Sequence, residues 1–178
     1  MDKKIIKIAI VGPESTGKST IAEGLAAHYD TFWVPEYSRF YCQDLKDPCT
    51  MQDELNMFHG QRALERAIEG LVKNGLLFCD TTFLTVKVWS DYQLGSTPQE
   101  VLNALSQHHY DFYLLLKNDI PWQYDPLRDF EGMSDYFMDV WRKELRALNA
   151  DFVEVGGLEC RLDNAIAAVE EFLIRKTT

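Results

Sequence analysis

Residues 12–19 read Gly-Pro-Glu-Ser-Thr-Gly-Lys-Ser, a complete G-x-x-x-x-G-K-[ST] phosphate-binding loop. The glycines let the backbone approach an anion and turn its N–H groups inward. The helix expected after the loop adds the positive end of its dipole. Gly12, Glu14, Ser15, Thr16, Gly17, Lys18, Ser19 and Thr20 are therefore the candidate ATP-phosphate ligands. Lys18 would reach the β- and γ-phosphates, and the Ser19 hydroxyl would bind Mg²⁺. Asp80 ends the apolar run Leu76-Leu77-Phe78-Cys79, a Walker B pattern whose carboxylate supports Mg²⁺, often through water. The same aspartate would also serve as an N-cap for the segment that follows. Glu36, in Val34-Pro35-Glu36-Tyr37-Ser38-Arg39, would accept or hold the proton of a substrate hydroxyl if its strand neighbours the phosphate-loop strand. Its bland alternative is a surface glutamate at a helix start. Arg39, one helical turn on, would neutralise phosphate or pair with Glu36.

These groups need a scaffold that brings them to one edge. Apolar runs at about 5–11, 31–34, 76–79, 111–116 and 152–155 predict five strands. Helical spacing at about 18–29, 50–74, 82–93, 98–108, 134–149 and 162–175 predicts six helices between and after them. In 50–74 the periodic residues are Leu55, Phe58, Ala63, Leu64, Ala67, Ile68 and Leu71, with Asn74-Gly75 as the stop. Strands alternating with helices predict an α/β fold, a five-stranded parallel sheet flanked by helices in a single P-loop domain over 1–178. Ligands of such sheets sit beyond the carboxyl ends of the strands, where Gly12, Glu36, Asp80, Lys117-Asn118-Asp119 and Gly156-Gly157 fall.

Residues 117–133, with Pro121, Pro126 and Gly132, read as a loop and a candidate lid. Arg128 on it would stabilise charge on a transferred phosphoryl group, or pair with Asp125 or Asp129 on an ordinary surface loop. Trp89 and Tyr92 lie three apart on one helical face. With Trp122 or Tyr124 of the lid they would clamp a flat ring, and a cationic ring would gain ~0.5–2 kcal/mol from such faces. Against that stands plain half-buried packing, the usual fate of Trp and Tyr. Gly156-Gly157 and Arg161 would border an adenine or make a turn.

Composition narrows the partners. The 178 residues carry a net charge of −10, which disfavours a nucleic-acid groove or an anionic membrane surface. Cys42, Cys49, Cys79 and Cys160 show no zinc spacing, and Cys79 reads as a core thiol. His108-His109 closes a helix and reads as structural. Lys3-Lys4 precedes only a short strand and no apolar stretch is long enough to span a bilayer, so the expectation is a reduced, cytoplasmic protein. Oligomeric state is not encoded in any visible feature.

Taken together, Gly12 to Thr20, Pro35 to Arg39, Asp80-Thr81 with Lys87-Val88-Trp89, Asp119-Ile120-Pro121-Trp122 and Asp125-Pro126-Leu127-Arg128 resemble the ribosylnicotinamide kinase domain of the bacterial NAD-biosynthesis regulators and its stand-alone relatives. The resemblance implies ATP- and Mg²⁺-dependent phosphorylation of the 5′-hydroxyl of nicotinamide riboside. It implies Glu36, Lys18 and Arg128 as catalytic, and Ser19 and Asp80 at the metal. Arg39, Trp89, Tyr92, Trp122, Tyr124 and Asp125 would meet the substrate. Two departures stand out: Pro126 follows Asp125 where the family often has glycine, and Phe130-Glu131-Gly132-Met133 lacks the further basic residues. A chain of this length leaves no room for adenylyltransferase or DNA-binding parts, so neither NAD synthesis nor operator binding is expected. The alternatives are a kinase for another nucleoside, with Gln61 and Gln93 bonding a neutral base, and a non-catalytic nucleotide switch. A GTPase is disfavoured because Lys117-Asn118-Asp119 has the wrong order for guanine.

Overall fold

The computed structural model describes residues 4–107, 109–123, 125 and 130–177. Five strands, β1 (Ile6–Val11), β2 (Phe32–Val34), β3 (Leu76–Asp80), β4 (Phe112–Leu116) and β5 (Phe152–Val155), form one parallel sheet in the order β2-β3-β1-β4-β5. Seven helices accompany them: α1 (Lys18–His28), α2 (Tyr37–Cys42), α3 (Met51–Glu69), α4 (Phe83–Leu94), α5 (Gln99–Leu105), α6 (Ser134–Ala147) and α7 (Arg161–Thr177). The sheet is buried on both faces, which is why β3 and β4 are apolar runs rather than alternating ones.

Alternate residues of β1 feed two cores. Ile8 and Ile10 pack with α1 and α7 around Leu25, Phe78 and Phe172, and Phe112 stacks on Phe172 at 4.4 Å. Ala9 and Val11 face Phe58, Phe83, Phe137 and Trp141 from α3, α4 and α6. Cys79 is fully buried in this second core, as expected of a core thiol. Among the described residues no helix is long and apolar enough to cross a membrane.

Three local expectations change. First, β2 pairs with β3, not with the phosphate-loop strand: Val34 lies opposite Cys79, and β3 lies opposite β1 from Ile6–Leu76 to Ile10–Asp80. Second, α2 is an additional element; six residues are too few to carry a periodic signal. Third, α3 stops at Glu69 with Gly70 as its cap, and it does not bury its most apolar stripe. Ala63 and Ala67 are exposed and Leu71 is 54% exposed, whereas Glu54, Phe58, Gln61 and Glu65 are buried at spacings of four, three and four. Each buried polar residue on that stripe has an occupation. Glu65 meets Lys7 (2.7 Å), His109 and the Tyr110 hydroxyl (3.0 Å) at the amino-terminal end of β1, so His109 is structural as expected.

Helix α2 lies so close to α3 that Gly60 is required between them: a Cβ there would stand 2.0 Å from the Tyr37 ring. Gly60→Ala should therefore cost ~1–3 kcal/mol of stability, read as a lower urea midpoint at unchanged m-value.

Candidate functional site

The phosphate loop leaves β1 at Val11 and enters α1 at Lys18. Gly12, at φ 143°, lets this turn pass against β4; a Cβ would stand 2.7 Å from the Leu116 carbonyl oxygen. Turning the N–H groups inward turns carbonyls outward, and each needs a donor. Lys18 Nζ donates to the Pro13 and Gly12 oxygens (2.8 and 3.2 Å), and Thr16 Oγ1 donates to Pro13 O (2.8 Å). Arg161, 5% exposed, donates from Nη1 to Thr16 O and Lys117 O, both at 3.0 Å, and pairs through Nη2 with Asp119. Asp119 in turn accepts from Gly157 N (2.7 Å). Arg161 is thus the bracket between the loop, the end of β4 and the start of α7. With Leu158, Glu159 and Leu162 it lines a 460 Å³ cavity over the loop, whereas Gly156 and Gly157 do not.

Asp80 sits beside this loop. Ser19 Oγ donates to its Oδ2 at 2.6 Å, while Oδ1 is buried and has no partner among the described residues. Burial, with the nearby Glu36 charge adding to it, pushes the Asp80 carboxyl up to about 6. The N-cap of α4 is Thr82, whose Oγ1 accepts from Leu84 N, so the capping alternative is filled by another residue. A hydroxyl beside a buried carboxylate with one oxygen unsatisfied is the hard oxygen donor set that suits Mg²⁺. Thr81, directly after it, is held at φ 69°, a conformation that costs a non-glycine residue energy and recurs at functional sites.

Glu36 reaches the cleft despite the changed strand order, because β3 is a single strand wide and β2 ends level with it. It occupies the N-cap position of α2, yet its side chain caps no backbone N–H. Its carboxylate instead accepts from Ser38 Oγ (2.9 Å) and lies 4.0 Å from Arg39 Nε. The turn that carries it is clamped from α3: Gln61 Oε1 accepts from Tyr37 N (2.8 Å), and Gln61 Nε2 donates to Pro35 O (3.2 Å). Both ends of the Gln61 amide are engaged by backbone, so its main structural task is to hold this turn.

Ile120 and Gln123 line the cavity over the loop, and Asp125 stands beside them. Ser15 Oγ bonds both the N–H and the carbonyl of Gln123 at 3.0 Å, and Arg39 Nη1 donates to Asp125 at 2.8 Å. Trp122 is half-buried and lines neither main cavity. Tyr124 and Arg128 lie outside the described residues. Trp89 and Tyr92 do share a face, but their partner is Phe130, stacked on Trp89 at 5.1 Å and 8° and met edge-on by Tyr92 at 5.1 Å. Phe130 N donates to Glu14 (3.4 Å), which links this aromatic wall to the phosphate loop. In the sequence Phe130 stood out only as part of a non-basic stretch; aromatic type alone does not tell a wall from a core residue.

A second cavity, 960 Å³, opens behind Glu36. Trp89, Tyr92 and Phe130 line one side, and Glu54, Cys42, Cys49 and Gln93 are among its polar lining. The two cavities share Glu14, Glu36, Ser38, Cys42, Thr85 and Trp89.

The AAA domain family model matches residues 7–161. This chain belongs to the AAA domain family. Its phosphate loop stands at the carboxyl end of β1, the central strand of the parallel sheet. It is 29% identical over 158 residues to the trifunctional NAD biosynthesis/regulator protein NadR of Salmonella typhimurium, a match over 83% of this chain and 37% of that protein. NadR of Escherichia coli is 29% identical over 160 residues, 85% of this chain and 36% of that one. The chain thus spans little more than a third of the curated relatives it matches. Among solved structures, a NadR protein in complex with NR superposes with a TM-score of 0.76 at 22% identity, over 94% of this chain and 50% of that one. Thymidylate kinase from Ehrlichia chaffeensis gives 0.64 at 12% identity (96% and 99%), and deoxyadenosine kinase from M. mycoides 0.58 at 15% (93% and 99%). The AAA-domain chain therefore has the fold of P-loop nucleoside and nucleotide kinases.

Glu54 is 2% exposed, and among the described residues no cation pairs with it. Burial pushes its carboxyl up to about 7, with the Cys49 thiol bond partly offsetting and the Asp53 charge adding. An acid whose folded pKa exceeds its unfolded value favours folding when protonated, so that contribution is lost as pH rises from about 4.5 through about 7. Glu54→Gln should melt roughly 2–6 °C above the parent at pH 8, a gap that closes by pH 5 in a thermal-melt series.

Proposed function

We propose that this AAA-domain protein transfers the γ-phosphoryl group of ATP to the 5′-hydroxyl of nicotinamide riboside, forming nicotinamide mononucleotide and ADP. One observation carries the reading: Glu36 lies where the cavity over the phosphate loop meets the cavity walled by Trp89, Tyr92 and Phe130. A donor phosphate and an acceptor hydroxyl filling these spaces would approach each other at that carboxylate. Similarity to NadR, and the NR that the solved NadR complex holds, support the choice of riboside.

In this reading the riboside 5′-oxygen attacks the γ-phosphorus, its proton passes to Glu36, and the β–γ bridging oxygen leaves with ADP. Lys18 turns from its loop carbonyls to the β- and γ-phosphates. Ser19 and Asp80 would hold Mg²⁺, which when bound neutralises charge on the phosphate oxygens. Gln61 and Ser38 fix the Glu36 carboxylate in orientation before substrate arrives, and the Arg39–Asp125 pair ties the covering segment to the same turn. Arg128, the lid arginine of the resemblance, would add charge stabilisation from that segment. The aromatic wall suits a flat cationic ring.

The test is product formation from Mg-ATP and a nucleoside panel that includes nicotinamide riboside, cytidine, uridine and adenosine. Selective conversion of nicotinamide riboside is expected. Glu36→Gln should lower kcat about 10²–10⁴-fold while ATP affinity, measured by titration calorimetry, stays within twofold. Selective turnover of another nucleoside would overturn the substrate, and full activity in Glu36→Gln would overturn the base.

A further inference from the structure

Glu54 is a conspicuous group for the interior of an acceptor cavity. It is nearly fully buried and lines the 960 Å³ space. Among the described residues its side-chain partners are neutral and few: the weak thiol donor of Cys49, at 3.6 Å, and the Ser90 hydroxyl of α4. A purely structural position on α3 would be occupied more favourably by an apolar side chain, because an unpaired buried carboxyl destabilises the fold it sits in. The stripe neighbours Gln61 and Glu65 are held by backbone groups and by charged side chains, whereas Glu54 lines the cavity with only neutral thiol and hydroxyl donors beside it among the described residues.

The groups facing it leave its charge unneutralised. Asp53 precedes it on α3, Cys42 faces it from α2, Cys49 and Asp47 from the segment before α3, and Ser90 from α4. The Glu100 carboxylate of α5 meets His59 on the exposed side of α3. Glu36 lies at the other end of the cavity, toward the phosphate loop. The remaining favourable influence is the amino-terminal end of α3, which begins at Met51 and favours an anion in its first turns. A ligand that supplies an N–H donor and positive charge would complete the arrangement. A ligand with an anionic substituent would meet carboxylate against carboxylate.

We infer that Glu54 is a specificity-determining residue of the acceptor site: it accepts a hydrogen bond from an N–H donor on the substrate ring, the carboxamide in nicotinamide riboside, and excludes the ring acid, nicotinate riboside. This rests on the proposed kinase reading and deepens it. The acceptor class is a riboside whose ring is cationic and whose edge substituent is a neutral N–H donor. Phosphoryl transfer itself remains with Glu36, so Glu54 governs which ring enters.

The test is steady-state kcat/KM for nicotinamide riboside and nicotinate riboside, with Mg-ATP, in the parent and in Glu54→Gln. The parent should prefer the amide by roughly 10²-fold or more, because a buried like charge is strongly rejected. Glu54→Gln, nearly isosteric, should cut that ratio at least tenfold, with activity toward nicotinate riboside rising in absolute terms. General damage to the fold would lower both substrates together, so the rise is the discriminating readout. The parent alone gives a second measurement: the preference should grow from pH 6 to pH 8, and Glu54→Gln should flatten that dependence. A parent active on both ribosides with no preference, or a ratio unchanged in Glu54→Gln, overturns the Glu54 assignment and leaves the kinase reading standing. A parent inactive on both overturns the kinase reading, and this inference with it.

Discussion

A loop that aims its N–H groups at an anion must aim its carbonyls somewhere else. That geometric necessity organises this molecule. Gly12 turns the chain where only hydrogen fits against Leu116, and the displaced carbonyls are taken up by Lys18, Thr16 and Arg161. Arg161 extends the solution across the sheet edge, since the same guanidinium holds the end of β4 and, through Asp119, the turn after β5. The loop is therefore braced from behind by elements far away in sequence, and its front face is left to the ligand.

A second layer of support lies on the other side of the cleft. α2 is short, and with its N-cap it brings two charged residues, Glu36 and Arg39, to the lining of the cavity over the loop. Six residues do not hold a helix in place by themselves. The Gln61 amide and the gap left by Gly60 dock it on α3, and Asp125 secures it from above. The long helix α3 thus has a double use: its inner stripe gives up apolar burial at Gln61 to hold the turn and at Glu54 to face the cavity. Stability and site chemistry compete along one helical face.

That competition explains what the sequence made legible and what it hid. The five strands and six longer helices follow from hydrophobic periodicity, because the sheet buries both faces and leaves no ambiguity of register. The loop, Glu36, Asp80 and Arg39 were legible by spacing, and all converge on one cleft. The inner face of α3 was misread because apolar spacing points to Ala63, Ala67 and Leu71, while tertiary contacts bury Glu54, Gln61 and Glu65. Strand order was hidden too: nothing in a local pattern tells that β3, made later, separates β2 from β1. The partner of Trp89 lay in no motif: Phe130 is distant in sequence and stacks on it only in the folded chain.

The strand order also bears on how the chain comes off the ribosome. β1 is made first and ends at the centre of the sheet, yet neither neighbour exists when it emerges. Its first partner begins at Leu76 and its second at Phe112. Until then the apolar stretch Ile5–Val11 has two open hydrogen-bonding edges and no core to enter, the condition under which nascent chains are most prone to stick. Synthesis past β4 is thus the point at which both edges of β1 are paired.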